Sequence, residues 1–163
     1  MVSSRLSQLE GHRRKFLAVI DDTPECSRAV YYAARRAKNS QGGLVLLYVI
    51  ANADFQQWLG VEAIMRAEAT AEAEAALAKA AETVREAIGI EAETVIREGA
   101  PAEEIHRLID EDRDIAILVL ASGSTKDGPG PLVSMLAGRG AAFPIPVTVL
   151  PDVLTNEDID ALS

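Results

Sequence analysis

Two carboxylates, Asp21 and Asp22, stand side by side directly after the apolar run Phe16-Leu17-Ala18-Val19-Ile20. Carboxylates at a strand end can contact a ligand, hold a divalent cation with a further oxygen donor, or accept bonds from nearby amides and fix the following turn. For Asp21 the ligand-contact and turn-orienting roles are both open; Asp22, ahead of Thr23-Pro24, reads as a turn residue. A second feature is Ser122-Gly123-Ser124-Thr125-Lys126-Asp127-Gly128-Pro129-Gly130-Pro131, which follows another apolar run and precedes a short helical pattern. Glycine-rich backbone entering a helix can present amide N–H groups to an anion. The third feature is Cys26, near the start of the first expected helix, where free amides can lower a thiol pKa; a small buried side chain is the preferred reading.

Other chemistry is poorly supplied. One cysteine excludes an internal disulfide and a thiolate metal cluster, and no metal-ligand spacing occurs, so no metal site is expected. His12 and His106 both sit in contexts that read as exposed, which argues against a histidine base. There is no Gly-x-Ser-x-Gly elbow, no Walker loop and no opening Gly-x-Gly-x-x-Gly fingerprint. The chain is therefore not expected to be an enzyme.

The elements that position these residues follow from the apolar patterning. Phe16 to Asp21 is a mostly apolar run of strand length, and Leu44 to Ile50 and Ile115 to Ala121 are continuous apolar runs, as expected of strands covered on both faces. Ile90 to Ile96 alternates as a half-buried strand, and Pro146 to Leu150 supplies the last one. Thr23 reads as the N-cap and Pro24 as the first residue of a helix that presents Ala29, Ala33 and Ala37 and ends at Gly42-Gly43. A long helix is expected between Asp54 and Ile88, closed by Gly89, its alanine-rich first half reaching past the core, with Phe55, Trp58, Leu59, Ile64 and Met65 available for packing or for covering a pocket. Pro101 opens a further helix through Ile105, Leu108 and Ile109, a short one spans Leu132 to Gly138, and Thr155 caps a terminal turn. Strict alternation of strands and helices gives one doubly wound, Rossmann-like α/β domain: a five-stranded, mostly parallel sheet with helices on both faces. In such sheets ligands bind beyond the carboxyl ends of the strands where the winding reverses, so Asp21 and the 122–130 loop share a pocket if the first and fourth strands are neighbours.

At 163 residues, with 48% hydrophobic and 25% charged residues, the chain has the composition of a single globular domain. No apolar run approaches the roughly 20 residues that cross a bilayer, and residues 1–14 lack a secretory pattern, so a cytoplasmic protein is expected. A net charge of −9, with His12-Arg13-Arg14-Lys15 the only dense basic cluster, argues against nucleic acid as a partner.

The stretch FLAVIDDTPECSRAVYYAARRAKNSQGGLVLLYVI resembles the first strand, helix and second strand of the universal stress proteins, and REGAPAEEIHRLIDEDRDIAILVLAS and FPIPVTVLP continue the likeness over roughly residues 15–151. Residues 1–14 then form a polar N-terminal extension and 152–163 a tail. The resemblance implies a stress-linked regulatory or ligand-sensing module, frequent homodimers and, in one branch, ATP binding. Asp21 falls on the family's strand-end aspartate. That branch carries Gly-x2-Gly-x9-Gly-[Ser/Thr]; here Gly130 and Gly140 keep the x9 spacing, but Asp127 and Ala141 stand at the other two positions. Pairing Gly128 with Gly138 puts Thr125 and Arg139 there instead. Candidate ligand contacts are Asp21, Val49, Ser122, Gly123, Gly128, Gly130 and Gly140, with ATP expected to bind weakly or not at all, since Pro129 and Pro131 lack N–H groups. The alternatives are an ATP-binding member with a variant loop and a receiver-like phosphoacceptor, for which Glu98 and Pro151-Asp152 are poor substitutes for the needed aspartate and lysine. A homodimer is expected through the last strand, Val147, Thr148, Val149 and Leu150, whose unpaired edge can take a symmetry mate.

Overall fold

The computed structural model describes residues 4–51, 61–124, 126, 128–138 and 143–163. Five strands, β1 (Lys15–Ile20), β2 (Gly43–Ile50), β3 (Glu93–Glu98), β4 (Ile115–Ala121) and β5 (Val147–Leu150), alternate with five helices, α1 (Cys26–Asn39), α2 (Glu62–Ile88), α3 (Pro101–Glu111), α4 (Pro131–Ala137) and α5 (Asn156–Leu162). All strand pairs are parallel and the order is β3-β2-β1-β4-β5. This follows the Rossmann order and not the 2-1-3-4-5 order of receiver domains, so the receiver alternative falls. Winding reverses between β1 and β4, which are direct neighbours.

The period-2 alternation of β1 splits the core in two. Phe16, Ala18 and Ile20 face α1, α2 and α5, while Leu17 and Val19 face α3 and α4. The alanines at 29, 33 and 37 are buried, so α1 lies close against the sheet. At 27 residues α2 runs about 40 Å, longer than the strands it covers. Its first turns are exposed, with Ile64 at 59%, and burial begins at Ala73 and Leu77. Phe55, Trp58 and Leu59 lie outside the described residues. Gly89, at φ 82, gives α2 its left-handed cap.

Several boundaries differ from expectation. α1 starts at Cys26 with Glu25 before it, and Thr23 does not cap it: the Thr23 N–H and hydroxyl both bond Asp21 Oδ1, which holds 21–25 as a turn. The helix ends at Asn39, and Gly43 already belongs to β2. β3 begins at Glu93 because Ile90 and Ala92, apolar enough to look like strand, pack against the core before pairing with β2 starts at Val45–Glu93. Thr155 caps α5 as expected, in a capping box with Asp158; Ile159 is buried there, whereas Leu162 is 60% exposed.

Residues 4–14 are tied to the end of the sheet where the strands begin. Leu6 N–H donates to Arg113 O at 3.0 Å, and Arg113 Nε reaches back to Ser4 O at 2.8 Å. Arg5 Nη1 donates to the carbonyls of Ile109 (2.6 Å), Asp112 (3.4 Å) and Ile115 (3.0 Å), closing the C-terminal end of α3. His12 pairs with Asp114 at 2.8 Å, and Lys15 with Asp112 at 2.8 Å and with Glu93 at 2.9 Å.

Candidate functional site

The opposite end of the sheet carries the candidate site. Counting on from the register pairs Ile20–Tyr48 and Ala18–Val119, Asp21, Val49 and Ser122 stand level across β1, β2 and β4. The row crosses the point where the winding reverses, and all three positions have the parity of Leu17, Val19, Leu118 and Leu120, which face α3 and α4. Ser122 N–H bonds Leu150 O at 2.8 Å, tying the row to β5.

Asp21 resolves in favour of the turn on one of its oxygens. Its Oδ1 accepts from Thr23 N–H at 3.0 Å and from the Thr23 hydroxyl, while the residue stays partly exposed at the strand end. Asp22 is exposed, as a turn residue should be.

The loop after β4 folds back on itself: Gly123 N–H donates to Pro129 O at 3.0 Å, and Gly130, at φ +92, leads into α4. Gly128 is also left-handed, at φ +83. Gly140 lies outside the described residues, as do Thr125, Asp127, Arg139 and Ala141. The glycine room is taken by a side chain that sequence reasoning passed over. Glu25, 9% exposed, brings its carboxylate against this loop: a Cβ on Gly130 would lie 2.5 Å from Glu25 Oε1, and one on Gly123 would lie 3.2 Å from it. One turn on, Arg28 Nη2 donates to Ser122 O at 2.9 Å, and its Nε is buried without a hydrogen-bond partner. The sequence signal for both was their i, i+3 spacing at the start of α1, but only the β1–β4 adjacency turns that helix face toward the loop.

Cys26 is half-buried, against the expectation of a fully buried side chain, and its surroundings do not activate the thiol. Its Sγ–H donates to Val19 O at 3.5 Å. Burial pushes the thiol up to about 11; a backbone hydrogen bond at Asp21 opposes this, and the charges of Asp21, Glu25 and Asp22 add to it. Cys26 lines a mostly apolar cavity of about 510 Å³ between α1 and α2, with Ile20, Val30, Ala80 and Ile88.

His106 is half-buried, contrary to expectation, because its ring packs edge-on to Phe143 at 5.6 Å; His12 belongs to the opposite end of the sheet. Among the described residues no group of three or more His, Cys, Asp or Glu is placed to hold a metal ion, and no helix is long and apolar enough to cross a membrane. β5 is an edge strand, with Val147 and Thr148 half-buried, Val149 39% exposed and Leu150 buried.

The family model described as "Universal stress protein family" matches residues 12–151. The chain belongs to the universal stress protein family. No curated protein sequence matches it. Among solved structures it is similar to universal stress protein UspA from Lactobacillus plantarum (19% identity, TM-score 0.67, covering 85% of this chain and 98% of that one). It is also similar to an Arabidopsis thaliana universal stress protein with AMP bound (20% identity, TM-score 0.60, 85% and 91%), and to the Archaeoglobus fulgidus universal stress protein in complex with dAMP (16% identity, TM-score 0.55, 83% and 96%). At these identities the likeness is one of fold.

Proposed function

We propose that this universal stress protein is a non-catalytic, cytoplasmic ligand-sensing module that works as a homodimer and takes an adenine nucleoside or nucleotide with little hold on the polyphosphate. The observation that carries the reading is the level row Asp21, Val49 and Ser122 across the β1–β4 switch point, flanked by the loop that ends at Gly130. The AMP and dAMP complexes of relatives with the same fold support the ligand class. Weak phosphate binding follows from the loop: Pro129 and Pro131 have no N–H, and Gly123 N–H already donates to Pro129 O.

Calorimetric titration with adenosine, AMP and ATP in the presence of Mg²⁺ tests this. Adenosine and AMP are expected to bind, with affinity lost on Asp21→Ala. An ATP dissociation constant in the low micromolar range, lost on Gly130→Ala, would make the loop a working phosphate site.

The dimer is drawn from β5, an edge strand free of charged side chains that carries an exposed Val149. Its antiparallel pairing with a second copy predicts a dimer in sedimentation at micromolar concentration, and Val149→Lys is expected to shift it to monomer. A monomeric wild type removes the dimer from the reading.

A further inference from the structure

We propose that Glu25 is a specificity-determining residue: its carboxylate fills the room between Gly123 and Gly130 and turns polyphosphates away, leaving the nucleoside end of the site usable. The inference rests on the adenine-ligand reading above and adds to it the selection among adenine compounds.

Glycines in a phosphate loop serve two purposes: they adopt left-handed dihedrals, and they let an anion approach the backbone where a Cβ would stand. Gly130 meets the first condition, with φ +92, but its Cβ direction points at Glu25 Oε1, 2.5 Å from where a Cβ would be. At Gly123 the same direction meets the Gly128 carbonyl oxygen at 2.6 Å and the same Glu25 oxygen at 3.2 Å. The anion in the glycine cradle is thus the protein's own.

Glu25 is held there by the chain on both sides. Its carbonyl accepts the Arg28 N–H at 3.1 Å, its backbone is already helical at φ −70 and ψ −19, and the turn before it is fixed by the bonds from Thr23 to Asp21. The residue is 9% exposed, so water screens its charge poorly. Among the described residues its carboxylate makes no ion pair, and Arg28 directs Nη2 to the Ser122 carbonyl. A phosphate chain entering the loop therefore meets a negative charge that makes no ion pair among the described residues, in space already filled. A neutral nucleoside meets neither obstacle.

The expected order of affinity is adenosine above AMP above ATP, and the order should turn over when the charge is removed. Titrations of wild type, Glu25→Gln and Glu25→Ala with adenosine, ATP and inorganic tripolyphosphate provide the test, with far-UV circular dichroism checking that both variants keep the fold. Glu25→Gln removes the charge and keeps the volume; Glu25→Ala removes both. The ratio of ATP to adenosine affinity is expected to rise about tenfold in Glu25→Gln and further in Glu25→Ala, with tripolyphosphate binding gained in Glu25→Ala. A ratio within twofold of wild type in both folded variants, or no gain of tripolyphosphate binding, overturns the proposal. The two readings fail separately: absence of adenosine binding in the wild type sinks the adenine site, whereas tripolyphosphate judges Glu25 without any nucleoside.

Discussion

Where the strands begin, charged side chains meet backbone carbonyls and one another; where they finish, a buried polar group is left unmatched among the described residues. At the first end Arg5 bonds the carbonyls of Ile109, Asp112 and Ile115, Lys15 bridges Asp112 and Glu93, and His12 meets Asp114. At the second end Arg28 Nε is buried without a hydrogen-bond partner among the described residues, and Glu25 holds its carboxylate against a glycine loop. The first end is built for stability. The second, where the proposed ligand site lies, keeps polar groups uncommitted, as expected if the less stable parts of a fold serve binding.

Removing Arg5 should break this contrast most strongly. Arg5→Ala leaves several carbonyls at the end of α3 without their charged donor, which should destabilise the fold by about 2 kcal/mol and lower the midpoint of thermal unfolding by several degrees. Ligand affinity should stay unchanged, because the lesion lies at the far end of the sheet. A change in adenosine affinity without loss of stability would show that the two ends are coupled.

Gly130→Ala is next, with an expected loss of roughly 1–2 kcal/mol from left-handed strain and the approach to Glu25. The two causes separate in a double-mutant cycle by urea unfolding. In a Glu25→Ala background only the strain remains, so a coupling of about 0.5 kcal/mol or more is expected, and strict additivity would mean that the carboxylate is not pressed against this glycine.

The smallest effects are alkaline. The Cys26 thiol is harder to ionise folded than unfolded, so the unfolded chain gives up its proton first and stability falls as pH rises from the ordinary thiol range near 9 to about 11. Cys26→Ala should flatten that slope. At pH 7.5 the thiolate fraction should be about a hundredfold below that of an ordinary thiol, which slow maleimide labelling of native protein checks. At the other end burial pulls the Lys15 ammonium down, but its bonds and ion pairs to Asp112 and Glu93 outweigh this and hold it above the lysine range. The stability Lys15 contributes is present below pH 10.5 and is lost as pH climbs through the raised value, a loss Lys15→Met should abolish in alkaline unfolding curves.

How far each part was legible depends on how local its causes are. The runs 16–20, 44–50 and 115–121 announce strands because they are apolar at every position, and burial on both faces demands that. Thr155 announces its cap because the partner, Asp158, lies three residues away. Thr23 looked equally like a cap, but its hydroxyl is drawn back to Asp21, a competition that residue types do not reveal. Ile90 and Ala92 read as strand because apolar residues pack equally well beside a sheet as within one. In the site, Asp21 and the loop glycines could be found from their places after strands, while Glu25 and Arg28 could not, since their meaning depends on which strand neighbours β1.

The bonds of Arg5 span 104 to 110 residues of sequence, which gives the order of synthesis a role. At ribosomal speeds Arg5 waits on the order of ten seconds for Ile109 and Ile115 to emerge. Over the same interval β1 can pair with β2, yet its other edge, reserved for β4, stays open. An apolar strand with one bare edge invites association between nascent chains. Arg5, Arg13, Arg14 and Lys15 flank that strand with positive charge throughout the wait, the placement expected of gatekeepers against aggregation, and Arg5 and Lys15 then fasten the finished fold.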